Sequence, residues 1–143
     1  MRGIDTVMAA RLIAEIGDIK RFPNASKLAK YAGVAPVTYA SGRTDIQYAN
    51  TRGSRQLNET LFRLALTMVM VKGRNRTIVN PYFYEYYRKK LSEGKTKRQA
   101  LKCVERRLVN ILWGMMKNNT EYINPPSYDE PPELQKDDKK QKN

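Results

Sequence analysis

Two apolar stripes constrain this chain more than anything else in it. Leu57, Leu61, Leu64, Met68 and Val71 recur at alternating steps of four and three within SRQLNETLFRLALTMVMV. Ala100, Leu101, Val104, Leu108, Ile111, Leu112 and Met115 follow the same period over residues 97–117. Side chains three and four positions apart share one face of an α-helix. Each stripe therefore needs an apolar surface to cover it, and long helices that bury one face in this way make a bundle.

The rest of the chain supplies that surface in shorter pieces. Residues 3–17 place Val7, Met8, Leu12, Ile13 and Ile16 on one helical face, with Asp5 or Thr6 to cap the start and Gly17 to end it. Phe22-Pro23-Asn24 makes a turn, and Asn24 caps a second short helix over 25–32, with Leu28 and Tyr31 inward and Gly33 after it. This pair resembles half of a helix-hairpin-helix, and plain core helices explain the pattern equally well.

Ser54 stands where the first long stripe needs an N-cap. Asn80-Pro81 opens another helix, with Asn as cap and Pro at the first position, where its missing N–H costs nothing. That helix carries Tyr82, Phe83, Tyr84, Tyr86 and Tyr87 among Arg88, Lys89 and Lys90. The helical spacing of Phe83, Tyr86 and Tyr87 favours core packing over base stacking. Thr96 and Gln99 form a capping box for the last helix, with Cys103 and Trp113 as core fillers beside its inner face and Lys102, Arg106 and Arg107 pointing elsewhere.

No segment alternates with period two long enough to read as a strand; VTY and DIQY alone allow a brief pairing. The expected fold is all-α: a compact bundle of about five helices over residues 1–118, with a helix-hairpin-helix-like N-terminal segment and a long catalytic-type loop. Residues 119–143 read as a flexible tail, disordered from 124 onward, with four prolines and mixed charge.

Charge and missing residue types narrow the function. Residues 1–118 hold 23 Lys/Arg against 8 Asp/Glu, whereas residues 119–143 hold 4 against 6. The excess belongs to the folded part, as expected of a nucleic-acid binder that displaces counterions from phosphates; solvated helix faces are the plainer reading. There is no His, and Cys103 is alone. That removes disulfide frameworks, Cys/His zinc patterns and His-based triads. No apolar run reaches membrane-span length, so a cytoplasmic location and no membrane partner are expected, nucleoid-associated if the charge serves DNA.

The stretch Tyr31–Arg55 has no helical period and holds Ser41-Gly42 among Arg43, Arg52 and Arg55. About 20 residues is long for a connection inside a compact domain. Taken alone, Ser41 is a turn residue. A serine that attacks phosphorus also needs cations for the developing charge and a route for its proton. The only acid in the stretch is Asp45.

A larger pattern surrounds this stretch. Glu15 to Asp18 with Arg21-Phe22, Leu28, Tyr31-Ala32-Gly33, Pro36, Ser41-Gly42, Gly53, Asn80-Pro81, Phe83, Tyr86, Gly94-Lys95, Ala100-Leu101, Arg106 and Ile111-Leu112-Trp113 with Met115 follow one another in a set order. In that order they resemble the C-terminal half of insertion-sequence-110 class transposases and the related Piv-type DNA invertases. The resemblance runs over roughly residues 3–118.

It implies a two-domain recombinase: a ribonuclease-H-like domain with acidic metal ligands, a coiled-coil connector and a helical domain whose serine joins covalently to DNA. The family serine falls on Ser41, and Gly42, Arg43, Arg52, Arg55, Arg63 and Lys95 are the implied nucleic-acid contacts. The implied partners are DNA, a guide (bridge) RNA, the ribonuclease-H-like domain or a full-length transposase, and further copies of the chain. No cofactor or metal site is expected in this chain, with Mg2+ expected on the other domain. Met1 lies just ahead of the first helix, so we expect a C-terminal fragment, a split reading frame or a decayed copy. DIQYANTRG carries fewer cations than this segment often does in the family. A non-catalytic helical DNA- or RNA-binding module, or a fragment that only dimerises, stands beside the transposase reading.

Overall fold

The computed structural model describes residues 1–35, 37–41, 44–48 and 52–123. Five helices carry the architecture: α1 (Thr6–Ile16), α2 (Ala25–Tyr31), α3 (Arg55–Met68), α4 (Pro81–Ser92) and α5 (Lys97–Asn118). Every expected N-cap is formed by a local side chain. Asp5, Asn24, Ser54, Asn80 and Thr96 accept from the amides of Met8, Lys27, Leu57, Phe83 and Gln99, and Gln99 Oε1 accepts back from the Thr96 amide. These bonds satisfy amides that have no partner within the helix.

α5 is the central element. It packs against α2, α3 and α4, while α1 lies on α3. Leu57, Leu61, Leu64 and Met68 of α3 meet Val104, Leu108 and Ile111 of α5 in one core, with Phe83 of α4 and Leu28 of α2 fully buried beside them. Removing a side chain of this size from water contributes about 1.5–3 kcal/mol, which is what joins five short-range helical signals into one body. A 3-10 turn, Ile19–Arg21, separates α1 from α2; the Lys20 and Arg21 amides donate to Asp18, and the Phe22 amide to the Ile19 carbonyl.

Three expectations are corrected. Two antiparallel ribbons replace irregular loop: β1 (Val37–Ser41) with β2 (Thr44–Tyr48), and β3 (Val71–Lys72) with β4 (Thr77–Ile78). The brief pairing allowed to VTY and DIQY extends to five residue pairs, from Val37↔Tyr48 to Ser41↔Thr44. Val71 pairs with Ile78 in a strand rather than continuing α3. On α1 the buried face is narrower than the stripe suggested: Leu12 and Ile16 are buried, but Val7 and Ile13 are 68% and 60% exposed. Residues 124–143, expected as a disordered tail, lie outside the described residues.

Candidate nucleic-acid interface

The β1–β2 ribbon leaves the helical body and returns to it at one closed root. The Ser54 amide donates to the Tyr31 carbonyl at 2.6 Å, and Asn58 Nδ2 donates to the Ala32 carbonyl at 2.9 Å. Val34 and Ala35 both donate to the Ala29 carbonyl. Gly53 lies directly on this backbone. A Cβ there would stand 2.5 Å from Gly33 N and 2.6 Å from the Tyr31 carbonyl oxygen, so the close approach depends on its having no side chain.

The root is tied in turn to the bundle. The Arg21 guanidinium lies 4.8 Å from the ring centroids of both Phe22 and Tyr31, and its Nη2 donates to the Ile16 carbonyl at 3.0 Å. Trp113 Nε1 on α5 donates to the Phe22 carbonyl at 2.9 Å. Cation–π contacts of this kind add about 0.5–1 kcal/mol where partly exposed. Tyr31 is thereby held through its ring by Arg21 and through its carbonyl by Ser54, and the ribbon departs from a fixed base.

Ser41 ends β1 and pairs with Thr44. At about 3.3 Å per residue, it lies about 13 Å along the strand from Val37 at the root end. Arg52 and Arg55 are exposed near the root, Arg55 as the first residue of α3. The fold therefore separates Ser41 from these two cations along the ribbon rather than gathering them around it. Gly42 and Arg43 lie outside the described residues. Arg63 is exposed on α3 and paired with Glu59 at 2.7 Å, one helical turn away, so its charge is already compensated. Lys95 sits half-buried on another connection, between α4 and α5, its amide donating to the Lys90 carbonyl at 3.3 Å.

The aromatic helix resolves in favour of packing. Phe83 is fully buried, while Tyr86 and Tyr87 pack half-buried against the core. Arg107 lies 3.9 Å from the Tyr86 ring centroid and donates to Tyr82 Oη at 3.0 Å. Cys103, expected as core filler, is half-buried at a cleft with Arg106 and Arg107. The signal for that basic face was in the sequence: positions 103, 106, 107 and 110 share one side of α5 at helical spacing. Among the described residues, no three His, Cys, Asp or Glu side chains come together as metal ligands, and no helix is long and apolar enough to cross a membrane.

Residues 1–88 match the family model described as Transposase IS116/IS110/IS902 family. The chain belongs to this family. It is 36% identical over 124 residues to an insertion element IS110 protein of Streptomyces coelicolor, covering 85% of this chain and 28% of that relative. An insertion element IS116 protein of Streptomyces clavuligerus is 35% identical over 119 residues, covering 82% and 28%. A pilin gene-inverting protein of Moraxella bovis is 29% identical over 122 residues, covering 84% and 36%. This family member thus spans little more than a quarter to about a third of the length of these relatives.

Proposed function

We propose that this chain is the DNA-binding, serine-bearing part of a transposase and that Ser41 is its nucleophile. The observation that carries the reading is the place of Ser41, at the end of a ribbon whose root is locked by Gly53 and Tyr31 onto a basic helical body of the IS116/IS110/IS902 family. A ribbon of this width fits the major groove of DNA, about 12 Å wide. The about 13 Å between Ser41 and the root spans about four base pairs at 3.4 Å each, so Arg52 and Arg55 serve phosphates flanking the attacked one.

In the proposed step, Ser41 Oγ bonds to phosphorus and the bond from phosphorus to one deoxyribose oxygen breaks. The departing oxygen takes up a proton, and the serine proton passes to a base. With no His in the chain, that base is assigned to a separate ribonuclease-H-like domain, which would also carry the Mg2+ and complete a composite site. A bridging guide RNA and further copies of the chain complete the proposed assembly.

The test is adduct formation. The chain is combined with the partner domain, guide RNA and labelled DNA, and protein–DNA species that survive denaturation are scored. Wild type is expected to form them and Ser41→Ala to lose them while retaining DNA affinity. Equal adducts from both would remove Ser41 from the chemistry. Salt-sensitive binding with no adduct in any combination would favour the non-catalytic module.

A further inference from the structure

A second basic feature lies away from the ribbon tip. α4 and α5 form a cleft of about 520 Å³ with the segment Val34–Ala35 at its edge. Lys90 of α4 and Lys102, Arg106 and Arg107 of α5 line it, and no acidic residue does. The four cations stand around a small volume, and two of them, Lys90 and Lys102, already face a carboxylate that lies outside the cleft lining. Existing partners fix each of them: Lys102 Nζ donates to the buried Glu105 at 2.8 Å, Lys90 Nζ to Glu93 at 2.9 Å, and Tyr86 carries Arg107 on its ring face. Arg106 donates through Nη2 to Ser26 Oγ at 3.0 Å, while its buried Nη1 has no hydrogen-bond partner. A guanidinium N–H taken out of water with no acceptor costs about 1–3 kcal/mol or more. A turn of the Arg106 guanidinium toward the cleft would let an anionic oxygen there remove that cost.

We propose that this cleft seats a backbone phosphodiester of a DNA strand, with Arg106, Arg107, Lys102 and Lys90 as its cations. The proposal rests on the DNA-binding reading above and adds to it a site separate from the ribbon. Arginines match phosphate oxygens through paired donors. The volume suits a nucleotide-sized unit and is too small for a duplex, so the strand enters by its edge.

Cys103 lies in the same cleft and is the only thiol in the chain, so it reports occupancy directly. Its rate of reaction with a thiol reagent is measured with and without a fluorescein-labelled single-stranded oligonucleotide, binding being followed separately by anisotropy. A saturating oligonucleotide is expected to slow the reaction at least about fivefold, and inorganic phosphate at the same concentration to leave it unchanged. Arg106→Gln and Lys90→Gln should each lower the salt slope of binding by about 0.7, the value for one phosphate contact on a single strand. Arg98→Gln, an exposed cation at the start of α5, should not. Lys90 is partnered by Glu93 on the surface, so its variant keeps the test valid even if Arg106→Gln unfolds. Saturated binding with an unchanged Cys103 rate, equal slopes in all variants, or protection by phosphate alone would each overturn the cleft assignment while leaving DNA binding intact. Absence of any binding by anisotropy would instead overturn both.

Discussion

Gly53 sets the geometry of the ribbon root at the scale of a single residue. Any side chain would meet the backbone of Gly33 and Tyr31 rather than a movable side-chain end. Gly53→Ala is therefore expected to cost about 2–4 kcal/mol, as steric strain against fixed backbone does, and to lower the melting temperature by about 8–15 °C. An unchanged melting curve would mean that the root is looser than described. Glu105 is the second informative residue. It is fully buried, with Oε1 lacking a hydrogen-bond partner. Burial lifts its carboxyl above the ordinary range, and the Lys102 contact offsets only part of this. A carboxyl raised in the folded state holds its proton more tightly there than in the unfolded chain. Its favourable contribution is present below the unfolded pKa and is lost as pH rises through the folded value. Glu105→Gln should therefore match wild type near pH 4 and exceed it by about 1 kcal/mol, or about 3–5 °C, at pH 7. A variant less stable at pH 7 would make the Lys102 pair a net stabiliser.

Helices were legible at the scale of elements because their determinants are local. Asp5, Asn24, Ser54, Asn80 and Thr96 each cap through an amide three residues away, and a contact that close is written in the sequence. Thr96→Ala should cost about 1 kcal/mol and Thr96→Ser almost nothing, measured by denaturant unfolding; equal losses would mean that the capping box adds little to α5. The ribbons were less legible. β1 and β2 are short and lack an Asn-Gly or Asp-Gly turn signal, and their register is anchored by a root made of residues about twenty positions apart. Val71 illustrates the same limit: it fits the periodic stripe of α3, yet it pairs with Ile78. α1 errs the other way, since Val7 and Ile13 lie on an apolar face wider than α3 covers.

For the whole molecule, the sequence indicated a basic helical body and a serine, but not how they are arranged. Residues 1–118 carry the excess charge, and the fold divides part of it between the ribbon root, at Arg52 and Arg55, and the α4–α5 cleft. The α5 side of that second group was written in the helical spacing of positions 103, 106, 107 and 110, but the cleft was not, because Arg106 and Arg107 meet Tyr86 and Val34 only once α4, α5 and the ribbon root pack together. The reverse holds for Ser41: family resemblance marked it, whereas spacing alone left it a turn residue. The central claim is that Ser41 becomes joined to DNA when the partner domain supplies the base. Peptide mapping of the denatured adduct tests it most directly, because trypsin releases Tyr31–Arg43 as one peptide that also holds Tyr31, Thr38 and Tyr39. The account predicts that fragmentation places the nucleotide mass on Ser41; the same mass on Tyr31, Thr38, Tyr39 or any other peptide would contradict it.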